Sequence, residues 1–214
     1  PPIMSKLKDK GEQDKVESMI NLAVLIFSIF LIPFIFGVIM LGDPLLSLYT
    51  NKETAAASSG LLPIISMAIF FYGIGSILSS ILFVDMKTKK ILLVSTVVGL
   101  LNLIANIAIF SIIANIYVAA WTTFCSYFLY MVLIYSQINK EYVIELLNIK
   151  IIKIALASVV MAAVLYLMNA LNFNFYTIEG LLFGVIVGCI VYFASLFVSK
   201  VITYKDLVLL IDQK

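Results

Sequence analysis

Long apolar runs, broken by short polar connections, set the rhythm of this chain. Crossing the hydrocarbon core of a bilayer takes about 20 apolar residues of helix. Six runs qualify: Met19–Leu41, Gly60–Val84, Ile91–Ile113, Ile116–Ile138, Ile151–Leu171 and Gly180–Ser199. None carries Asp or Glu except at an edge. Lys153 sits near enough to the start of its run to snorkel to the headgroups. Two further stretches read as interfacial. Residues 140–150 (KEYVIELLNIK) place Val143, Ile144, Leu147 and Ile151 at helical spacing among Glu141, Glu145 and Asn148. That pattern predicts a short amphipathic helix lying on the membrane surface, or an extension of the next span. The tail Tyr204–Ile211 is similar and shorter.

The fold class predicted is an all-α membrane protein with six transmembrane helices in a single membrane domain, residues 1–214. Lysine supplies all 14 positive charges, and 13 fall before the first span, at the connections after the second, fourth and sixth spans, or at the start of the fifth. Lys52 alone lies on the other side. By the positive-inside rule both ends are cytoplasmic, and a wrong span count would break the alternation.

Composition agrees. The chain is 63% hydrophobic and 12% charged, with a mean hydropathy of +1.14. Soluble domains run at about 45–50% apolar and about 25% charged. A net charge of +2 is too small for nucleic-acid binding. Cys125 and Cys189 lie inside apolar runs and read as small hydrophobes rather than a disulfide. Histidine is absent, which removes the commonest general base and metal ligand. With no phosphate-binding loop, nucleophile–base pair or metal-ligand cluster, the sequence predicts no enzyme, cofactor or metal site. The chain opens on Pro1 without an initiator methionine and reads as the C-terminal part of something longer.

A few residues stand out within the spans. Pro33 and Pro63 each delete a backbone hydrogen bond and are candidate helix bends, either as hinges or as static kinks. Gly73 and Gly75, with Ser76, Ser79 and Ser80, give the second span a small-residue stripe. Gly180, Gly184 and Gly188 repeat every fourth residue on the last span and predict close helix packing, or else a groove. Asn102 and Asn106 share one face of the third span. They read either as a polar clamp to a neighbouring helix or as a hydrophilic strip facing a cavity. Tyr117, Trp121 and Tyr135 suit the interfacial belt. Tyr127 and Tyr130 lie deeper and are candidates for pocket lining.

The order of these features resembles a known family. PPIMSKLKDKGEQDKVESMIN looks like the end of an even-numbered span and its cytoplasmic loop. LIPFIFGVIMLGDPLLSLYTNKETAAASSGLLPIIS looks like the next span with its internal proline, an outer loop and a following span. DMKTKKILLVSTVVGLLNLIANIAIF resembles a short basic turn and a span with spaced asparagines. IYVAAWTTFCSYFLY resembles a small-residue span at Ala119, Ala120, Thr123 and Ser126, and KIIKIALASVVMAAVLYL a penultimate span containing Met161. Tyr117, Val118 and Trp121 depart from the pattern by their bulk.

Together these resemble the C-terminal half of a polysaccharide (O-antigen type) flippase of the multidrug/oligosaccharidyl-lipid/polysaccharide superfamily. The resemblance implies one six-helix lobe of a fourteen-span, two-lobed transporter working by alternating access in the cytoplasmic membrane. Its partners would be the bilayer, the N-terminal lobe of the same protein and a lipid-linked oligosaccharide. In that setting Asn102, Asn106, Tyr127 and Tyr130 would line the substrate cavity, and cationic contacts to a sugar-diphosphate would come from the other lobe. Two rivals stand beside it: a multidrug or cation exporter of the same superfamily, and a non-transporting six-span scaffold that dimerises through the Gly180/Gly184/Gly188 face.

Overall fold

A computed structural model describes residues 2–146 and 148–201. The described residues form eight helices: α1 Pro2–Asp9, α2 Gln13–Tyr49, α3 Lys52–Ser58, α4 Leu61–Val84, α5 Thr88–Phe110, α6 Ile116–Ser136, α7 Ile149–Ala170 and α8 Ile178–Ser199. Six of them, α2 and α4–α8, are long and apolar enough to cross a membrane. The tail at 204–211 lies outside the described residues.

Side-chain caps fix four of the eight helix starts. Asn51, Asn115, Asn148 and Thr177 each adopt extended backbone and accept an N–H from the first turn of α3, α6, α7 and α8 respectively. The α4–α5 turn closes on Met86 at φ 57°. At 37 residues, α2 is about 55 Å long at 1.5 Å per residue and outruns a bilayer core of about 30 Å. It stays helical through both Pro33 and Pro44.

Pro63 behaves differently from a mid-span bend. It is the third residue of α4, in the first turn, where a missing N–H has no intrahelical partner to lose. A helix continued from α3 would have needed that N–H for the carbonyl of Ser59. The chain instead breaks at Ser59–Gly60 and restarts.

The amphipathic helix expected over 140–150 is not seen at the described residues 140–146. Residues 139–146 follow turns and irregular backbone, and α7 begins only at Ile149. The helical spacing lost to specific polar bonds. Gln13 and Asn21 on α2 donate to the carbonyls of Glu141 and Val143, and Asn21 Oδ1 accepts the Glu145 N–H. Tyr142, the ring that helical spacing ignored, is buried.

The chain divides into two compact units, each drawn from two stretches of sequence. Unit 1 comprises the described residues of Pro1–Phe27 and Met67–Leu146. Its core holds Val16, Ile20, Leu78, Ile81, Leu82 and Ile134, with α5 packed on α6. Gly73 brings α4 against the Phe27 ring and Gly75 brings it against Tyr130; a Cβ at either would stand under 3 Å from those rings. Unit 2 comprises the described residues of Ser28–Ser66 and Leu147–Lys214. There α7 packs on α8 around Ile154, Met161, Leu165 and Tyr192.

Both units leave large apolar side chains uncovered, such as Leu92, Ile107, Leu156 and Phe197. Contiguous exposure on this scale is incompatible with a water-facing surface and fits lipid.

Candidate functional site

Unit 2 contains an apolar groove of about 370 Å³, within the roughly 300–1,000 Å³ span of ligand sites. One wall is α2, with Ile29, Pro33, Phe34, Gly37 and Leu41. The others are α7, with Met161 and Leu165, and α8, with Gly184, Gly188, Cys189 and Tyr192. Glycine makes the room. A Cβ at Gly37 would meet nothing within 4 Å, whereas one at Gly188 would rest at 3.6 Å on Leu165 and Met161. Phe30 and Phe34 stand exposed along the rim, so the groove opens toward the lipid-facing surface of α2.

The α8 stripe is used up inside the chain. Gly180, Gly184, Gly188, Tyr192 and Leu196 are all buried at four-residue spacing. Gly180 packs on the backbone of Asn174, and Gly184 on the Phe175 ring. A scaffold dimerising through these glycines would first have to displace their own neighbours.

Asn102 and Asn106 join a polar network between α5 and α6. Asn102 Nδ2 donates to Ser126 Oγ at 3.1 Å, and Asn106 Nδ2 donates to Asn102 Oδ1 at 3.1 Å and to its backbone carbonyl at 3.0 Å. Thr122 Oγ1 closes it by donating to Asn106 Oδ1 at 2.9 Å. Each amide nitrogen is thus engaged within the protein, as a clamp requires. Tyr127 and Tyr130 both pack on Tyr72 of α4, with ring centroids 4.8 and 5.5 Å apart. Tyr130 is buried and Tyr127 half-buried. None of these four residues lines the groove of unit 2.

A charged knot joins the connections of unit 1. The Asp85 carboxylate, with 3% of its side chain exposed, accepts from Lys8 of α1 and from Lys87 at 2.9 Å. Tyr142 Oη donates to it at 2.9 Å, and Lys87 also donates to Asn139 Oδ1 at 2.8 Å. Burial pushes the Asp85 carboxyl up, but the bonds from Lys8, Lys87 and Tyr142 outweigh it and hold the group below the usual carboxylate range. Burial, then the bond to Asp85, pushes the Tyr142 phenol up to about 12.

In unit 2, Tyr176 Oη donates to Asp43 at 2.9 Å, tying the α7–α8 connection to the end of α2. That bond, then burial, raises the Tyr176 phenol. Lys153 near the start of α7 donates to the carbonyl of Ser199 at the end of α8. Every such bond joins connections that the lysine count assigns to the same side of a membrane.

Sequence reasoning offered a groove along the α8 glycines as one alternative but missed its α2 wall, and it missed the knot. The groove required knowing that Pro33 and the α8 glycines belong to one unit. The knot had a signal, since Asp85 is the sole acid in a turn with three lysines.

These features define a multi-pass helical membrane protein with an apolar cavity in unit 2. The lipid II flippase MurJ family matches residues 2–199, and the chain belongs to that family. Its members are transporters rather than enzymes, so the reading as a flippase of a lipid-linked precursor stands. The branch matched is the lipid II one rather than the O-antigen type. No curated protein and no solved structure was found to match.

Proposed function

We propose that this chain is one lobe of an alternating-access flippase that carries a lipid-linked precursor, lipid II, across the cytoplasmic membrane with both chain ends inside. The groove of unit 2 seats the lipid tail while the sugar-diphosphate head crosses through a central cavity. One observation carries the reading: a cavity with almost purely apolar walls, built by Gly37, Gly184 and Gly188, opens beside lipid-facing aromatics in a chain of this family. A hydrocarbon tail gains no hydrophobic energy by leaving lipid. Such a groove therefore acts by shape, guiding the tail rather than binding it tightly. Anionic head groups call for cations at membrane depth. Of the six apolar runs, only Ile151–Leu171 holds a lysine, Lys153, already engaged at the end of α8. The second lobe of the transporter would supply the rest.

Gly37→Leu tests this, with Gly99→Leu as its control. Both glycines lie inside helices, and a Cβ at either meets nothing within 4 Å. Each change gains about 0.5–1 kcal/mol of helix propensity, so both variants fold. Only the first fills the groove. In proteoliposomes of the full transporter, Gly37→Leu should slow flipping of the lipid-linked precursor while Gly99→Leu does not. Equal rates for the two would remove the groove from the transport path.

A further inference from the structure

Pro33 of α2 and Tyr192 of α8 meet at one atom. In a regular helix the carbonyl of Ile29 accepts the N–H of residue 33. Pro33 has none. A carbonyl left unpaired in a membrane interior costs several kcal/mol, because no water is there to satisfy it. Tyr192 Oη fills the vacancy, donating to the Ile29 carbonyl oxygen at 2.6 Å in a buried setting. Tyr192 is 3% exposed and Ile29 6%. Both, with Pro33, line the groove.

Tyr192 is also the step that follows Gly180, Gly184 and Gly188 at four-residue spacing on the buried face of α8. The glycines bring the backbone of α8 close, and the phenol then spans the remaining gap to α2. A phenylalanine would pack equally well but would leave the carbonyl bare.

We propose that Tyr192 is the positioning residue of the groove. Its hydroxyl replaces the hydrogen bond that Pro33 deletes, and so holds the interrupted turn of α2 at a fixed distance from α8. Groove width is set by this bond rather than by apolar packing alone. The inference rests on the groove reading above and adds to it a named device that keeps the groove in shape.

The pairing makes a prediction that mere packing does not. Pro33→Ala returns an N–H to the Ile29 carbonyl and makes the tyrosine hydroxyl redundant. A cycle of Tyr192→Phe, Pro33→Ala and the double variant therefore tests it, on the full transporter in lipid nanodiscs. The first readout is labelling of the α8 segment 181–193 by a lipid-linked precursor carrying a photoreactive diazirine in its tail. The second is thermal unfolding.

Tyr192→Phe leaves the buried carbonyl without a donor, so it should cut labelling about tenfold or more, and should lower the unfolding midpoint. In the Pro33→Ala background the same change should alter labelling less than twofold and leave the midpoint in place. Equal losses in both backgrounds, or none in either, would overturn the proposal. Wild-type protein left unlabelled at 181–193 would overturn the tail-seating reading and with it the positioning role. A labelled wild type whose labelling ignores Tyr192→Phe would overturn the positioning role alone.

Discussion

Replacing Asp85 by asparagine should loosen two segments far from it in sequence. The carboxylate is almost fully covered and receives three donors, from Lys8, Lys87 and Tyr142. Asparagine keeps the shape, removes the charge, and turns an NH₂ group toward two ammonium groups. A hydrogen bond to a charged group is worth about 1.5–3 kcal/mol. The bond from the buried Tyr142, which holds 139–146, falls near the lower end of that range, whereas the Lys87 bond lies within the Asp85 turn itself. The Lys8 side chain is 41% exposed, so solvent screening reduces its share to about 0.5 kcal/mol. These correspond to factors of about 10 for local opening of 139–146 and about 2 for Met4–Asp9. Amide hydrogen exchange of the protein in nanodiscs reads this directly. Exchange over 139–146 should rise about 10-fold in Asp85→Asn and over Met4–Asp9 about twofold, and Lys8→Met should reproduce only the second change.

The pH dependence follows from the same group. Its folded pKa lies below the unfolded value of about 3.9. Its contribution is therefore complete above that value and is lost as pH falls through the folded one. Once corrected for intrinsic rates, wild-type exchange in these segments should approach that of the variant in strong acid. Unchanged exchange in Asp85→Asn at neutral pH would refute the reasoning, because the knot would then hold nothing.

Three further outcomes follow. Gly180→Ala puts a Cβ 2.0 Å from the backbone oxygen of Asn174; displacing that loop should cost about 1–3 kcal/mol, measured as a lower unfolding midpoint. Asn102→Leu combined with Asn106→Leu should cost about 1 kcal/mol of stability while precursor flipping in proteoliposomes is retained; a flipping loss larger than the stability change would return both residues to a cavity. Tyr142 has its phenol raised to about 12, so its stabilisation is complete below about pH 10 and fades as pH rises through the folded value. Tyr142→Phe should abolish that alkaline step in a titration of unfolding midpoints.

The spans were legible because each is a run of apolar residues longer than any soluble core needs. Contacts between connections were not legible. Residues 140–150 have helical spacing, yet their backbone bonds go to Gln13 and Asn21, more than 120 positions away. Pro33 and the α8 glycines were each visible as interruptions. That they build one groove depends on helix neighbours, which hydropathy does not encode. The asparagine pair shows a different limit. Spacing placed both residues on one face, but the face meets Ser126 and Thr122, so the amides are spent on α6.

The bond between Tyr192 and Ile29 spans 163 positions, and that separation has a consequence for biogenesis. At about 5–20 residues per second, some 10–30 s pass between synthesis of the first long helix and arrival of the hydroxyl that completes it. Throughout that interval the growing chain carries a carbonyl that its own first span cannot satisfy. Helix α8 then supplies the missing donor and its wall of the groove in one event. An arrest-peptide force sensor on the nascent chain should therefore record a late pull as residue 192 enters the membrane, and Pro33→Ala should weaken it.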